Sequence, residues 1–370
     1  MNEGRRIRVG VVFGGRSGEH EVSLRSAESV MAALDAEKYE VVPIGLTRQG
    51  GWLSSGDPMR ALKAGAEALD ETAIVTNPRG GGLVTVSVSR GLEARTALEP
   101  IDVVFPVLHG PYGEDGTIQG LLEMANVPYV GAGVLGSALG MDKAMMKTVL
   151  RAAGLPVLDW VAFIEPQWHG AVEQTIVEIE ARLGYPCFVK PANLGSSVGI
   201  TRATDESTLR QAVGLALTYD RKVIVERAAI DAREVECSVL GNDAPIASVI
   251  GEVIPDREWY DYEAKYANSS TQLLIPAPLS AEASDRTRAL AVTAFRAIEC
   301  AGMARVDFFI SRDESIVLVN ELNTIPGFTS ISMYPKLWEA SGLPYGRLLD
   351  RLIELAIERH DGRSRLRTDR

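Results

Sequence analysis

The chain has 370 residues, of which 46% are hydrophobic, and its formal net charge is −11. This length suits roughly two or three ordinary domains, and an acidic chain is a poor binder of nucleic-acid phosphates, which need lysine and arginine. It contains no apolar run of about 18 residues and begins with a charged segment, so we expect neither a transmembrane helix nor a secretory signal. We therefore expect a cytoplasmic protein with no nucleic-acid or membrane partner.

The first part of the chain predicts alternating strands and helices. Residues 7–13 form a continuous apolar run, which is typical of a parallel strand covered on both faces. The other predicted elements are strands at 39–46, 83–88 and 101–108, helices at 23–34 and 117–125, and a strand that ends at Tyr129. This order predicts a Rossmann-like, doubly wound α/β domain over residues 1–139. Residues 50–100 are glycine-rich and irregular, and we interpret them as an insertion.

From about residue 140 the pattern changes to short strands and scattered helices, which predicts an α+β arrangement. The predicted elements are helices at 141–153 and 281–301, strands at 187–191, 200–202, 223–226, 234–240, 305–310 and 316–320, a loop at 259–276, and a helix from about Tyr345. We expect a small lobe over 140–226 and a large lobe over 227–358. The basic tail at 359–370 is expected to be disordered, since chain ends fray unless they are tied down.

The glycines after the first strand do not form a dinucleotide site. Gly14, Gly15 and Gly18 do not match GxGxxG, and no acid for a ribose follows the second strand. A Walker-type ATP loop is also excluded, because no lysine in the chain follows a glycine. The loop still lies where ligands bind in an open α/β sheet. Glu19 in this loop is either an ordinary surface carboxylate or a partner for an ammonium group.

A glycine- and serine-rich loop follows the strand at 187–191. Residues 195–199 match GxSxG, a serine hydrolase pattern, but that pattern needs a helix directly afterwards, and the residues that follow look extended. The required order of serine, acid and histidine also fails, because the one later histidine is His360 in the basic tail. The loop suits phosphates better, since it offers backbone N–H groups and hydroxyls. Lys190, just before it, would add a point charge.

The densest group of candidate ligands lies near the end of the chain. Arg305 and Asp307 alternate along one predicted strand, and Glu321 and Asn323 alternate along the next, so each pair shares a face. If the two strands pair, Asp307, Glu321 and Asn323 present oxygen ligands of the kind that Mg²⁺ takes together with substrate phosphates. Arg305 beside them would neutralise developing negative charge. Ordinary ion pairs within a sheet are the alternative interpretation.

Seven segments together resemble the ATP-grasp superfamily and, within it, the D-alanine–D-alanine ligase family. They are GGRSGEHEVS (14–23), PVLHGPYGEDGTIQG (106–120), MDK (141–143), VKPANLGSSVGI (189–200), YDYEAKY (260–266), RVDFF (305–309) and NELNTIPGFTS (320–330). They span nearly the whole chain, and residues 50–100 are the least similar part. The resemblance implies a Rossmann-like N-terminal domain followed by a two-lobed ATP-grasp fold. It also implies ATP-dependent joining of two D-alanine molecules, through an acyl phosphate, for peptidoglycan precursor synthesis.

The resemblance implies an ATP site residue by residue. Lys143 and Lys190 would contact the phosphates, Lys265 in the long loop would reach the γ-phosphate, and Phe309 would pack against the adenine. Arg227 stands where the family's hinge commonly has a lysine. The implied ATP-binding residues are Lys143, Lys190, Ser196, Ser197, Glu226, Arg227, Ala229, Glu234, Lys265, Phe309 and Asn323.

The resemblance also implies an amino-acid site. Glu19 would bind the ammonium group of the first D-alanine, and Arg305 and the Gly327 N–H would form an oxyanion hole. In the family the tyrosine matching Tyr266 hydrogen-bonds through the serine matching Ser196 to this glutamate, which favours D-alanine over D-lactate as second substrate. The implied catalytic residues are Glu19, Ser196, Tyr266, Arg305 and Gly327, and the implied substrate-binding residues are Glu19, His109, Tyr266, Arg305, Gly327 and Ser332.

For the metal, the resemblance implies Mg²⁺ or Mn²⁺, with two ions per site, held by Asp307, Glu321 and Asn323. We also expect a homodimer. Two rivals stay open, namely an ATP-grasp ligase with other substrates and a non-catalytic nucleotide-binding regulator. Release of ADP that depends on D-alanine would separate both from the predicted ligase. Glu236 lies in a predicted strand where a neutral residue is expected, and nothing in the sequence explains it.

Overall fold

The computed structural model describes residues 5–54, 56–65, 71–77, 82–88, 100–254, 272–329 and 331–367. Its helices are α1 (His20–Ala33), α2 (Pro58–Lys63), α3 (Thr117–Ala125), α4 (Val134–Met141), α5 (Lys143–Ala152), α6 (Glu165–Gly170), α7 (Val172–Arg182), α8 (Glu206–Leu217), α9 (Ala281–Ala297), α10 (Met333–Ala340) and α11 (Tyr345–Ser364). None of these helices combines the length and apolarity that a membrane crossing requires. Its strands are β1 (Ile7–Gly14), β2 (Tyr39–Leu46), β3 (Trp52–Leu53), β4 (Glu71–Asn77), β5 (Gly82–Val88), β6 (Val103–Val107), β7 (Trp160–Ile164), β8 (Cys187–Pro191), β9 (Thr201–Ala203), β10 (Lys222–Arg227), β11 (Ala232–Gly241), β12 (Ile246–Ile254), β13 (Gln272–Leu274), β14 (Gly302–Ser311) and β15 (Val317–Asn323).

The first sheet has the strand order β5-β4-β3-β2-β1-β6, and β1 runs parallel to both β2 and β6. Val11 and Phe13 of β1 pack on the face that α1 covers, whereas Val12 packs on the other face with Leu122 of α3. A strand that is buried on both faces needs apolar residues at successive positions, and residues 7–13 supply them. The prediction of a doubly wound sheet is confirmed.

The segment at 50–100 differs from its prediction. It contributes β3, β4 and β5, which extend the edge of the first sheet by antiparallel pairing. The strand predicted at 83–88 is present as β5, whereas β3 and β4 were not predicted. The strand predicted to end at Tyr129 is reduced to a single bridge between Tyr129 and Val104.

The rest of the described chain builds two antiparallel sheets. The second sheet has the order β7-β10-β8-β9, and its apolar core includes Ile179 of α7 and Val213 of α8. The third sheet has the order β13-β12-β11-β14-β15, and Phe295 of α9 packs in the core on one of its faces. The opposite face of the third sheet is left for the site described below.

The C-terminal tail was predicted to be disordered from residue 359, but the structure shows it ordered beyond that point. Helix α11 continues to Ser364 and rests on the first part of the chain. The Arg359 guanidinium lies 4.4 Å from the centre of the Tyr129 ring, and its Nη2 donates to the Tyr129 carbonyl at 2.9 Å. His360 Nε2 lies 3.2 Å from the Asn126 carbonyl. These contacts tie down the end of the helix, which the basic composition alone did not reveal.

Candidate active site

Two adjoining cavities lie on the open face of the third sheet. The larger one, about 570 Å³, lies between this sheet and the second sheet, and the smaller one, about 120 Å³, lies toward the loops of the first sheet. Gly195, Ser196, Val253 and Glu321 line both cavities. Because the cavities share this wall, a group bound in one can react with a group bound in the other.

Strands β14 and β15 bring the predicted metal ligands together. Asp307 lies directly opposite Glu321 in the ladder, and Arg305 lies opposite Asn323. Asn323 Nδ2 donates to Asp307 Oδ2 at 3.1 Å. Along β14, Val306 is buried in the core while Arg305 and Asp307 are only half-buried on the opposite face, as the predicted alternation requires.

A β-bulge at Asn320 turns the acids of β15 toward those of β14. Asp307 pairs with Glu321, and the next pair along the ladder involves Val319, so Asn320 is the extra residue. Val319 is buried in the core, and strict alternation would bury Glu321 with it. The extra residue reverses the alternation and brings Glu321 to the same side as Asp307.

Arg305 has two carboxylate partners. Its Nε and Nη2 donate to Asp307 at 2.7 and 2.6 Å, and its Nε lies 3.1 Å from Glu236 Oε2. Burial would lower the pKa of the guanidinium, but Asp307 and Glu236 hold it well above its usual value. Glu236 is thus explained as the second counter-ion of Arg305. The alternative of an ordinary sheet ion pair is also realised, and a cation on Asp307 would use the lone pairs that Arg305 leaves free on its two oxygens.

The donor set at Asp307, Glu321 and Asn323 fits a hard divalent cation. Two carboxylates and an amide oxygen are ligands that Mg²⁺ accepts when phosphates complete its shell. In the part of the chain that the structure describes, no group of three His, Cys, Asp or Glu side chains is placed to hold a metal. Three side chains alone do not fill the octahedral shell of Mg²⁺, so bound phosphates or water would complete it.

Three lysines lie at the wall of the large cavity: Lys143 and Lys190 line it, and Lys147 lies behind it. Lys190 Nζ lies 2.6 Å from Glu226 Oε2, and Lys147 Nζ lies 3.1 Å from Glu226 Oε1. Lys143 Nζ lies 3.6 Å from Glu321 Oε2. Burial would raise the pKa of the Glu226 carboxyl, but Lys147 and Lys190 lower it to about 2. Glu226 is therefore ionised although only 1% of its surface is exposed.

The remaining walls of the large cavity combine aromatic and polar groups. Phe188 and Phe309 line it, and Phe309 lies opposite Glu234 in the ladder between β11 and β14. A flat ring with a polar substituent suits such walls. Most of the predicted ATP-binding residues line this cavity: Lys143, Lys190, Ser196, Ser197, Glu226, Arg227, Ala229, Glu234 and Phe309. Asn323 lines the small cavity instead.

Glu19 reaches the small cavity from the start of α1, where it is the N-cap residue. It accepts a hydrogen bond from Ser196 Oγ. A Cβ at Gly110 or at Gly195 would lie 2.8 or 2.9 Å from Glu19 Oε2, so a side chain at either position would displace this carboxylate. The glycine- and serine-rich loop after β8 and the first sheet thus meet at one carboxylate, as the family resemblance implied.

His109 and Glu114 line the small cavity beside Glu19. His109 Nδ1 lies 3.1 Å from the Ile325 carbonyl and its Nε2 lies 3.1 Å from Ser26 Oγ. Burial lowers the pKa of this ring, so a neutral imidazole braces the cavity wall. The Gly110 N–H donates to Glu114 Oε2 at 2.7 Å.

The loop after β15 closes the small cavity. Gly327, Ser332 and Arg305 all line it. Ser332 Oγ accepts from the Thr329 N–H at 3.0 Å, and a Cβ at Gly327 would lie 2.8 Å from this oxygen. Glycine at 327 therefore lets the loop fold back on itself next to Arg305.

Some residues of the site fall outside these observations or were missed. Lys265 and Tyr266 lie outside the described residues. Sequence reasoning missed Lys147, although it follows Lys143 by four positions and both lie on the buried face of α5. It also missed Glu114, which stands in the quoted segment 106–120. For Glu114 the available signal was an acid in a glycine-containing loop. For Lys147 it was a second lysine on the same helix face as Lys143.

Comparison with known proteins gives the same assignment over the whole length. Family models described as the D-ala D-ala ligase N-terminus and C-terminus match residues 8–132 and 149–354. The D-alanine–D-alanine ligase of Heliobacterium modesticaldum is 51% identical and that of Ruminiclostridium cellulolyticum is 49% identical, over 98% and 96% of each chain.

Solved structures of related ligases have a fold similar to that of this chain. The D-alanine-D-alanine ligase from Coxiella burnetii has a TM-score of 0.82 and 39% identity, over 97% of this chain and 96% of that one. The VanG D-Ala:D-Ser ligase from Enterococcus faecalis has a TM-score of 0.82 and 38% identity, over 95% of this chain and 100% of that one.

The fold of the chain is that of an ATP-grasp ligase. With both family models matched and about half of all residues shared with relatives over the full length, the chain belongs to the D-alanine–D-alanine ligase family.

Proposed function

We propose that the protein joins two D-alanine molecules with ATP and releases ADP and phosphate. The observation that carries this proposal is the wall shared by the two cavities. The large cavity offers lysines and aromatic rings, which suit a nucleotide, and the small cavity offers Glu19 and Arg305, which suit an amino acid's ammonium and carboxylate. Ser196 and Glu321 stand on the wall between them.

In this proposal, the carboxylate of the first D-alanine attacks the γ-phosphate of ATP, and the amine of the second attacks the acyl phosphate. Glu19 holds the first ammonium group. Lys143 and Lys190 neutralise the phosphates, which is the main task of the protein in phosphoryl transfer. Arg305 and the Gly327 N–H stabilise the oxyanion, and each such donor contributes about 3 kcal/mol.

The metal belongs to the same proposal. Asp307, Glu321 and Asn323 would hold Mg²⁺ or Mn²⁺, in two ions, and the metal would supply charge neutralisation at the phosphates. Because Asp307 is engaged by Arg305 in this structure, cation binding and the freeing of Arg305 are coupled. Omitting divalent ions, or titrating Mg²⁺ against Mn²⁺, tests the identity of the ion, and a metal-to-protein ratio measured with bound nucleotide tests the number.

The decisive experiment is a coupled assay of ADP release. We expect release that requires D-alanine, is absent with L-alanine, and yields D-alanyl-D-alanine by mass spectrometry. Binding of ATP without turnover with any amino acid would refute the proposal and favour a nucleotide-binding regulator.

D-serine as second substrate is the alternative that one comparison favours. The D-Ala:D-Ser ligase VanG has the same TM-score as the Coxiella relative. Relatives named as D-alanine–D-alanine ligases are more similar in sequence. A competition assay with both amino acids decides, because the two dipeptides differ in mass.

We further propose a cytoplasmic homodimer whose chain divides into domains at 1–139, 140–226 and 227–358. Each of these ranges holds the strands of one of the three sheets, apart from the end of β10 at Arg227. Sedimentation velocity measures the oligomeric state directly, and a monomer at micromolar concentration would contradict the dimer.

A further inference from the structure

Lys147 is a buried cation that the proposed reaction does not use. It lies on α5 one turn after Lys143, only 1% of its residue surface is exposed, and it does not line the large cavity. A buried lysine is rare unless it is paired. Its position behind the cavity wall indicates that it acts on the residues of the wall, not on a bound molecule.

Two groups hold the Lys147 ammonium. Its Nζ lies 3.1 Å from Glu226 Oε1 and donates to the Asn320 carbonyl at 3.2 Å. Asn320 is the bulge residue of β15 and has no partner in the register with β14. Lys147 therefore connects the end of β10, which carries Glu226, to the bulge that orients Glu321.

Glu226 shares its two oxygens between two lysines. Oε1 faces Lys147, and Oε2 faces Lys190 at 2.6 Å. Lys190 keeps 12% side-chain exposure and lines the large cavity, whereas Lys147 does not. If Lys190 moved to a phosphate, Glu226 would lose one counter-ion, and an isolated buried carboxylate is costly.

We propose that Lys147 is a positioning residue of the nucleotide site, and that its charge keeps Glu226 neutralised when Lys190 leaves Glu226 for the phosphates of ATP. Without this standing counter-ion, Lys190 would be held on Glu226 and withdrawn from the nucleotide. The inference rests on the proposed function, since it assigns Lys190 to ATP phosphates.

The test compares Lys147→Met, Lys147→Arg and the double variant Lys147→Met/Glu226→Gln with the unaltered chain. For Lys147→Met, we expect the KM for ATP and the dissociation constant of ADP to rise about tenfold, which is the effect of one lost charge contact. The KM for D-alanine should stay within about twofold. Lys147→Arg, which keeps the charge, should recover most of the nucleotide affinity.

The double variant gives the sharper prediction. Glutamine at 226 no longer retains Lys190. Because Glu226 itself belongs to the predicted ATP site, the double variant is compared with Glu226→Gln alone, and the added loss of Lys147 should then change the ADP affinity by less than about twofold. A residue with only a structural role would cost the same factor in both backgrounds. A Lys147→Met protein with normal ADP affinity, or an equal loss of affinity in both backgrounds, would overturn the proposal.

Folding is checked by thermal unfolding of each variant. If Lys147→Met does not fold, the double variant should still fold, because it has no unpaired buried carboxylate; its failure to do so would also overturn the proposal. ADP binding is measured by calorimetry without D-alanine. If the unaltered chain binds ADP but makes no dipeptide, the proposed function fails while the comparison of variants still decides the role of Lys147.

Discussion

Arg305 is held by Asp307 at two points, with Nε 2.7 Å from Oδ1 and Nη2 2.6 Å from Oδ2. One residue is the proposed oxyanion donor and the other is a proposed metal ligand, so both proposed roles draw on the same ion pair. A cation bound by Asp307 would weaken the hold of Asp307 on Arg305. Glu236 then remains as the counter-ion of Arg305, 3.1 Å from its Nε.

Arg305→Ala is expected to lower kcat at least about a hundredfold, because the oxyanion loses a charged donor. Steady-state ADP release measures this effect, and circular dichroism checks the fold. The variant should still bind ADP, since Arg305 does not line the large cavity. A folded variant with near-normal turnover would refute the oxyanion role.

Glu236→Gln is expected to lower kcat about tenfold, because Arg305 would lose the partner that orients it once Asp307 leaves, and small misplacements are costly. Glu178→Gln is the matched control. Glu178 pairs with Arg182 on α7, and neither residue lines either cavity, so its loss should leave kcat unchanged. Equal kinetics for the two variants would contradict a role for Glu236.

Gly195→Ala is expected to raise the KM for D-alanine about tenfold, because the added Cβ would lie 2.9 Å from Glu19 Oε2 and overpacking displaces neighbours. Gly214→Ala serves as control, since nothing lies within 4 Å of a Cβ there. Titration with D-alanine gives the KM of each variant and tests this prediction. An unchanged KM in Gly195→Ala would show that Glu19 does not need this close approach.

The free energy of unfolding is expected to depend on pH because the pKa of the Glu114 carboxyl is raised in the folded protein. Removal from bulk solvent, with the charge of Glu19 as a second cause, raises its pKa from 4.5 to about 8. The folded protein therefore keeps this proton longer than the unfolded chain, so its contribution to stability is full below pH 4.5 and is lost as the pH rises toward about 8.

Glu114→Gln removes this titration. Across that pH range the variant should lose less of its free energy of unfolding than the unaltered chain. Urea denaturation at several pH values measures the difference. Parallel curves for the two proteins would show that Glu114 is already ionised in the folded state.

The parts of the site that follow from strand periodicity were predictable. Alternation placed Arg305 with Asp307 and Glu321 with Asn323, and the structure pairs these strands. The bulge was not predictable, because buried Val317 and Val319 continue a regular pattern that would have turned Glu321 into the core. The motif resemblance carried the correct expectation where periodicity alone would have failed.

Other features depended on tertiary contacts that no local pattern encodes. Lys147 resembles an ordinary solvated helix lysine until Glu226, 79 positions later in the chain, is brought beside it. The first sheet was predicted well where its strands are continuously apolar, as in β1. Strands β3 and β4 were not predicted, because they lie in a segment of mixed composition where the signal is weak.

The docking of α11 has a consequence for how ATP can enter and leave. Arg359 fastens the end of this helix to Tyr129, and Tyr39 Oη donates to Asp350 near its start at 2.9 Å. Side chains of the first and third sheets and of α11 share one apolar core, whereas the second sheet has a core of its own. The first and third sheets are thus fixed to each other through α11, and we expect the second sheet to be the part that moves when a nucleotide enters or leaves.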